Sequence, residues 1–144
     1  MTRTQPDAES CRMPTLRAPP AAVLFVHDVE RMAAFYRGVF GMRAVLTEPD
    51  IAVLELDGFQ LTIHRIRGAG TDFRTREDCY VKLCFPVDDL AATRERAAML
   101  GGELWAASHE WDAGARGFRA CDGRDPEGNV FQARATQGEL PPTA

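Results

Sequence analysis

The stretch AVLFVHDVERMAAFYRGVFG, residues 22–41, decides the fold that this sequence predicts. It begins with an apolar run typical of a β-strand. Asp28 follows the run and can accept hydrogen bonds from the first backbone N–H groups of a helix. Apolar side chains then recur at helical spacing up to Phe40, and Gly41 stands where a left-handed turn ends a helix. The stretch therefore predicts a strand, a helix and a sharp stop.

The second half of the chain repeats this plan. Asp28 and Gly41 lie thirteen residues apart, and Asp88 and Gly101 have the same separation. We therefore expect Asp88 to begin a second helix that stops at Gly101. In the first half the three strands after the helix are expected at about residues 42–47, 51–57 and 59–66, with Asp57-Gly58 as a tight hairpin turn. In the second half the strands are expected at 80–85, near 103–107, near 117–122 and at 129–135.

Two copies of strand–helix–strand–strand–strand predict an α+β fold. It consists of two pseudo-symmetric βαβββ modules that form a curved mixed sheet around a cavity, with the helices on the outer face. The expected organisation is a flexible N-terminal arm over 1–20, one domain over 21–136 and a flexible tail over 137–144. Within the domain we expect module one at 21–67, a linker at 68–78 and module two at 79–136.

Composition narrows the class of protein. The chain has 144 residues, 45% of them hydrophobic, which is typical of one globular domain. Its formal net charge of −4 argues against a nucleic-acid partner. The longest run without an acidic or basic residue is Ala18 to His27, too short to span a membrane. The N-terminus lacks the apolar core of a signal peptide, so we expect a cytoplasmic protein, with Met1 or Met13 as the start.

Two motifs resemble those of a known family. The segment Phe25-Val26-His27-Asp28-Val29-Glu30-Arg31, followed by Phe35-Tyr36 and Gly41, resembles the opening of the vicinal oxygen chelate superfamily. Asp125-Pro126-Glu127-Gly128-Asn129, with Phe131, resembles its closing turn and strand. That superfamily includes glyoxalase I, extradiol dioxygenases, methylmalonyl-CoA epimerase, fosfomycin resistance enzymes and bleomycin resistance proteins. The resemblance implies two βαβββ modules, often assembled as a homodimer.

The resemblance also implies where a divalent metal would be held. The family's ligand positions fall on Ala21, Gln60, Lys82 and Gln132. Alanine cannot ligate, a lysine ammonium only donates, and glutamine carbonyls are weak ligands for transition metals. We therefore expect no metal and no cofactor. His64 shares the strand face of Gln60, where it is either a hydrogen-bonding pocket residue, the favoured interpretation, or a metal ligand.

Strand alternation predicts which side chains line the cavity. Lys82 is the only lysine and lies in a predicted strand. It is either an anchor for an anionic or carbonyl-bearing ligand, or an exposed edge residue or part of an internal ion pair. Trp105 and Trp111 form either an apolar wall for an aromatic ligand or ordinary core or dimer-interface packing. The predicted ligand-binding residues are Gln60, Thr62, His64, Tyr80, Lys82, Cys84, Trp105, Trp111, Gln132 and Arg134.

These observations favour a metal-free small-molecule-binding protein of the glyoxalase/bleomycin resistance type. Its ligand would be aromatic or anionic and held in the cavity between the two modules, and the protein is expected to form a homodimer. The alternative is a metal-dependent lyase, isomerase or dioxygenase of the same superfamily with displaced ligands. A third hypothesis is a regulatory or interaction module with a degenerate pocket. The residues do not name the ligand.

Overall fold

The computed structural model describes residues 18–67 and 79–137. The predicted arm, linker and tail lie outside the described residues, apart from residues 18–20 and residue 137. Within the described ranges, no helix is long and apolar enough to cross a membrane. The helices are α1 (Val29–Phe40) and α2 (Leu90–Met99). The strands are β1 (Ala21–Val26), β2 (Arg43–Glu48), β3 (Ile51–Leu56), β4 (Phe59–Arg65), β5 (Leu83–Val87), β6 (Glu103–Leu104), β7 (Trp111–Asp112), β8 (Phe118–Arg124) and β9 (Val130–Thr136).

The strands form two mixed sheets with related topology. The first sheet has the order β1-β4-β3-β2, and the second has the order β5-β9-β8-β6, with β7 also paired to β8. In each sheet the strand before the helix runs parallel to the last strand of the same module, and the other pairs are antiparallel. This arrangement confirms the α+β fold with two βαβββ modules.

The signals of the first module act as the sequence predicts. The side chain of Asp28 accepts a hydrogen bond from the Arg31 backbone N–H at 3.0 Å, which caps α1. Gly41 ends the helix with φ of 68°, a left-handed conformation that favours glycine. Asp57 and Gly58 both have positive φ, as a two-residue hairpin turn with the twist of the flanking strands requires.

The second module departs from the prediction in two places. The cap of α2 is Asp89, not Asp88, because the Asp89 carboxylate accepts from the Ala92 N–H at 2.7 Å. The strand predicted at 80–85 begins only at Leu83. It pairs with β9 from Leu83 opposite Phe131 onward, and β9 itself starts only after the turn at 125–129.

The segment between α2 and β8 is also less regular than predicted. The strand expected near 103–107 is the two-residue β6, and a short 3₁₀ turn, Ala107–His109, follows it. The sequence did not predict β7, and the strand expected near 117–122 is β8, which extends to Arg124. A second 3₁₀ turn, Gly114–Arg116, leads into β8.

An aromatic cluster joins α1 to the second sheet. Phe40 stacks on Phe85 of β5 with ring centroids 4.3 Å apart, and Phe35 lies 5.8 Å from Phe131 of β9. Burial of each such ring stabilises the fold by roughly 1.5–3 kcal/mol. Because α1 also packs on β3 and β4, one core serves both modules. The apolar faces of both sheets turn toward this core, so their mixed faces point away from it.

The closing turn ties the second module to the start of the first helix. The Tyr36 hydroxyl donates to Asp125 Oδ2 at 2.7 Å. The Glu127 carboxylate accepts from the backbone N–H groups of His27 and Asp28 at 2.7 and 2.9 Å. Asp125 also accepts from Asn129 and from the turn's own backbone. The motif of residues 125–129 therefore holds the two modules together.

Candidate functional site

The mixed face of the first sheet carries three of the predicted site residues. Thr62 and His64 of β4 lie opposite Val23 and Phe25 of β1, and Gln60 lies opposite Ala21. Val23 and Phe25 are 55% and 58% exposed. This face therefore offers apolar and neutral polar side chains to a ligand or partner.

His64 is held on this face by two neighbours. Its Nδ1 lies 2.8 Å from the Arg65 carbonyl oxygen, which is an acceptor for an Nδ1–H group. The imidazole also meets the Phe25 ring edge-on at 5.7 Å. These contacts agree with a hydrogen-bonding role on the sheet surface.

A hydrogen-bonded network crosses the mixed face of the second sheet. Lys82 Nζ lies 2.6 Å from Asp122 Oδ2, and Gln132 Nε2 donates to Asp122 Oδ1 at 3.1 Å. Arg134 Nε donates to Gln132 Oε1 at 2.7 Å. The Lys82 and Asp122 side chains are only 22% and 14% exposed, so water screens their attraction less than at an open surface. Lys82 thus lies in an internal ion pair, one of the interpretations that the sequence left open.

Aromatic side chains lie beside this network. The Trp111 ring meets Phe118 at 6.0 Å between centroids, and the Arg134 guanidinium lies 4.5 Å from the centre of the Phe118 ring. Trp111 is opposite Ala120, which is in turn opposite Arg134. Trp111, Phe118 and Arg134 therefore form one polar-aromatic patch.

Trp105 lines a separate cavity of about 700 Å³. Arg124 lies 5.9 Å from the Trp105 ring centre, and His109 meets that ring at 6.2 Å. Asp122 also lines this cavity, so the cavity lies next to the hydrogen-bonded network of Lys82. Trp105 packs against the core with part of its surface, so packing and cavity lining are combined in one side chain.

Glu110 holds the loop between the two tryptophans. It accepts from Arg119 Nε and from an Arg94 terminal nitrogen, each at 2.8 Å. The hydrogen bonds from Arg119 and Arg94 hold the pKa of Glu110 below its usual range. Arg94 also donates to the Trp105 carbonyl at 2.7 Å. Helix α2 therefore positions the Trp105 loop through charged contacts.

Tyr80 is not on a strand, which corrects the expectation of a strand that begins at residue 80. It lies in a bend before β5, with a fully exposed side chain. It lines a cavity of about 620 Å³ between β1 and the start of β5. The same correction applies to Lys82, which precedes β5, although it still reaches the mixed face of the second sheet.

The predicted residues thus fall into separate groups. Gln60, Thr62 and His64 share the first sheet. Most of the others share the second sheet or its edge: Lys82, Cys84, Trp105, Trp111, Gln132 and Arg134. Of the ten, only Tyr80 lines the cavity of about 620 Å³ and only Trp105 lines the cavity of about 700 Å³. A third cavity, of about 470 Å³ near Gly41 and Arg96, is lined by none of them. One chain does not bring the ten residues together.

The residues at the family's metal positions do not fit a metal. Ala21 and Gln60 are neighbours on β1 and β4 and offer one neutral oxygen. Lys82 and Gln132 both donate to Asp122, so they present donors where a cation needs acceptors. In the described ranges no group of three or more His, Cys, Asp or Glu side chains could hold a metal ion.

The sequence reasoning missed Asp122, Phe118 and Glu110. Asp122 and Phe118 share a face with Ala120, because alternate residues of β8 point the same way. That parity was readable from the sequence once β8 was placed. Glu110 gave no such signal, since its partners Arg94 and Arg119 come from a helix and a later strand.

The architecture defines a class of α+β proteins in which each of two βαβββ modules presents one mixed sheet face. A family profile described as a glyoxalase-like domain matches residues 21–133. The protein belongs to this glyoxalase-like family, which confirms the resemblance to the vicinal oxygen chelate superfamily. The comparison with curated proteins found no match.

Solved structures share the fold. A glyoxalase-related enzyme from Fulvimarina pelagi is 24% identical, with 81% of this chain and 86% of that chain covered and a TM-score of 0.61. The fosfomycin resistance protein FosX from Listeria monocytogenes is 18% identical, with 82% and 92% covered and a TM-score of 0.60. A mutant of that FosX, complexed with Mn(II) and 1S,2S-dihydroxypropylphosphonic acid, covers 88% of this chain and 94% of its own at 18% identity, with a TM-score of 0.61. At these sequence identities the similarity shows a shared fold.

Proposed function

We propose that the protein binds a small aromatic or anionic molecule without a resident metal, on the mixed face of the second sheet. The observation that carries the proposal is the chain of contacts from Lys82 through Asp122 and Gln132 to Arg134. The side chains of Lys82 and Arg134 are cationic and that of Asp122 is a carboxylate, so these contacts leave a net positive charge beside the Trp111 ring. An anionic or aromatic ligand complements such a surface.

We further propose that the binding cavity is completed in a homodimer. The mixed face of the first sheet is open in the single chain, with Val23 and Phe25 more than half exposed. Exposed apolar side chains grouped on one sheet face are typical of an interaction surface. A second copy that covers this face would bring Gln60, Thr62 and His64 to the cavity as well. The cytoplasmic location stays a prediction from the sequence.

The proposed metal-free state is tested first, by measuring the metal content of the protein. Purified protein is incubated separately with Zn(II), Ni(II), Mn(II) and Fe(II), desalted and measured by elemental analysis. We expect no metal to be retained in proportion to the chain, because Lys82 and Gln132 present donors to the site. One metal per chain would overturn the metal-free proposal and favour the metal-dependent lyase, isomerase or dioxygenase alternative.

A thermal-shift screen of aromatic and anionic small molecules then tests binding. We expect stabilising compounds, since a ligand that binds only the folded state raises the melting temperature. For the best compound, Lys82→Met should lower the affinity by about tenfold or more, as expected for loss of a charge-assisted contact. Arg37→Gln, at an exposed position of α1, is the matched control. A screen without any stabilising compound would contradict the proposed function.

A further inference from the structure

Two arginines lie on one phenyl ring, that of Phe118 at the start of β8. The guanidinium carbon of Arg134 is 4.5 Å from the centre of the Phe118 ring, and that of Arg116 is 4.7 Å away. Arg134 comes from β9, whereas Arg116 ends the 3₁₀ turn that leads into β8. The fold therefore brings two positive charges to one ring from separate elements.

Neither guanidinium has a carboxylate partner within 18–67 and 79–137. The nearby basic residues differ, because Lys82, Arg94 and Arg119 are each paired with Asp122 or Glu110. The two unneutralised charges are no further apart than the sum of their distances to the ring centre, which is comparable with the Debye length at physiological salt, so their repulsion is only partly screened. The ring face attracts each cation but supplies no counter-charge. A bound anion close to both charges would relieve the repulsion.

Arg134 is also oriented in advance for an anion. Gln132 Oε1 accepts from its Nε, and its guanidinium carbon lies over the Phe118 ring. These contacts leave the terminal nitrogens of the guanidinium fork for a ligand. A planar fork held in this way matches two oxygens of one oxyanion.

On the basis of the proposed function, we propose that Arg116, Phe118 and Arg134 form the seat of the ligand's oxyanion group, a carboxylate or a phosphonate. The ligand's aromatic part lies toward Trp111, whose ring is 6.0 Å from that of Phe118. Asp122 neutralises the charge of Lys82 in their ion pair. The stronger attraction for an anion is therefore at the Phe118 end of the face.

Calorimetric titrations with benzoate, phenylphosphonate and neutral benzyl alcohol test this seat. We expect the anions to bind the full chain and benzyl alcohol to bind about tenfold more weakly or not at all. Arg134→Gln and Arg116→Gln should each lower the affinity for the anions by about tenfold, and Arg134→Lys should restore only part of it. Arg37→Gln should leave the affinity unchanged. The preference between benzoate and phenylphosphonate distinguishes the two oxyanion classes.

The outcomes separate this seat from the proposed function. If benzyl alcohol binds as tightly as the anions and both Gln variants bind normally, the seat is wrong although small-molecule binding stands. If neither anion binds the wild-type protein, the seat is overturned, and the wider thermal-shift screen alone decides the proposed function. Loss of anion binding in Arg134→Gln but not in Lys82→Met would uphold the seat and remove Lys82 from the site.

Discussion

Asp125 is a buried carboxyl group whose charge is supported by several donors. Burial raises the pKa of Asp125 above its ordinary value, although hydrogen bonds from Tyr36, Asn129 and the turn backbone oppose the rise. Burial and the nearby Asp125 carboxylate likewise raise the pKa of Tyr36. The phenol is therefore protonated at neutral pH and donates to Asp125.

Tyr36→Phe should destabilise the fold by about 1–3 kcal/mol at neutral pH, because it removes a hydrogen bond to a buried charged acceptor. The variant is compared with the wild type by urea unfolding. Tyr80→Phe is the matched control, since the Tyr80 side chain is fully exposed. Equal losses in both variants would show that the Tyr36–Asp125 hydrogen bond contributes nothing specific.

The cost of Tyr36→Phe should also depend on pH. A carboxyl group whose folded pKa is raised binds its proton more readily in the folded state, so its contribution to stability grows as pH falls through that pKa. The Tyr36 hydrogen bond lowers the pKa of Asp125, so its removal raises that pKa further. The stability difference between the two proteins should shrink as the pH falls from neutral through the raised pKa of Asp125. A difference that grows on acidification would contradict this assignment.

At the scale of elements, local signals predicted each helix but not the residue that caps the second one. Asp88 and Asp89 are adjacent, and both are good cap residues. The choice depends on where the backbone turns after β5, which is set by the pairing of β5 with β9. The face of the sheet on which each residue of β4 and β9 lies was predictable. Alternate residues of a strand point to the same face, which assigns Thr62 and Arg134 to their faces from the sequence alone.

Contacts between elements were not predictable in this way. The partner of Lys82 is Asp122, forty residues away on β8, and only the pairing of β8 with β9 brings Asp122 opposite Gln132. The Arg116 and Arg134 pair on Phe118 likewise depends on the 3₁₀ turn before β8, which has no counterpart in the first module. The strands of the site were therefore accessible to sequence reasoning, whereas the charge pairing was not.

Asp89→Ala should destabilise the protein by about 1 kcal/mol, because the Ala92 N–H loses its acceptor. Asp88→Ala should cost clearly less, since the Asp88 carboxylate does not cap α2. The two single variants are compared by urea unfolding with a common slope. A larger loss of stability for Asp88→Ala than for Asp89→Ala would show that Asp88 caps α2, as the spacing of thirteen residues predicted.

At the scale of the whole molecule, one core and two outward mixed faces follow from the same packing. Because α1 contacts both sheets, the apolar face of each sheet packs against the shared core. The repeat in the sequence predicted the modules but not their mutual placement, since a βαβββ unit can present its mixed face to either neighbour. The ten predicted residues consequently lie on separate surfaces of one chain.

A homodimer that covers the first mixed face should be sensitive to charge on that face. Phe25→Glu places a carboxylate at a 58% exposed apolar position of β1, and burial of an unpaired charge on assembly is unfavourable. We expect the wild type to be a dimer and Phe25→Glu to be a monomer in size-exclusion chromatography with light scattering. Met99→Glu, at the 83% exposed end of α2, makes the same type of change away from the face and should stay dimeric. A monomeric wild type would contradict the shared cavity, and a dimeric Phe25→Glu variant would move the interface to another surface.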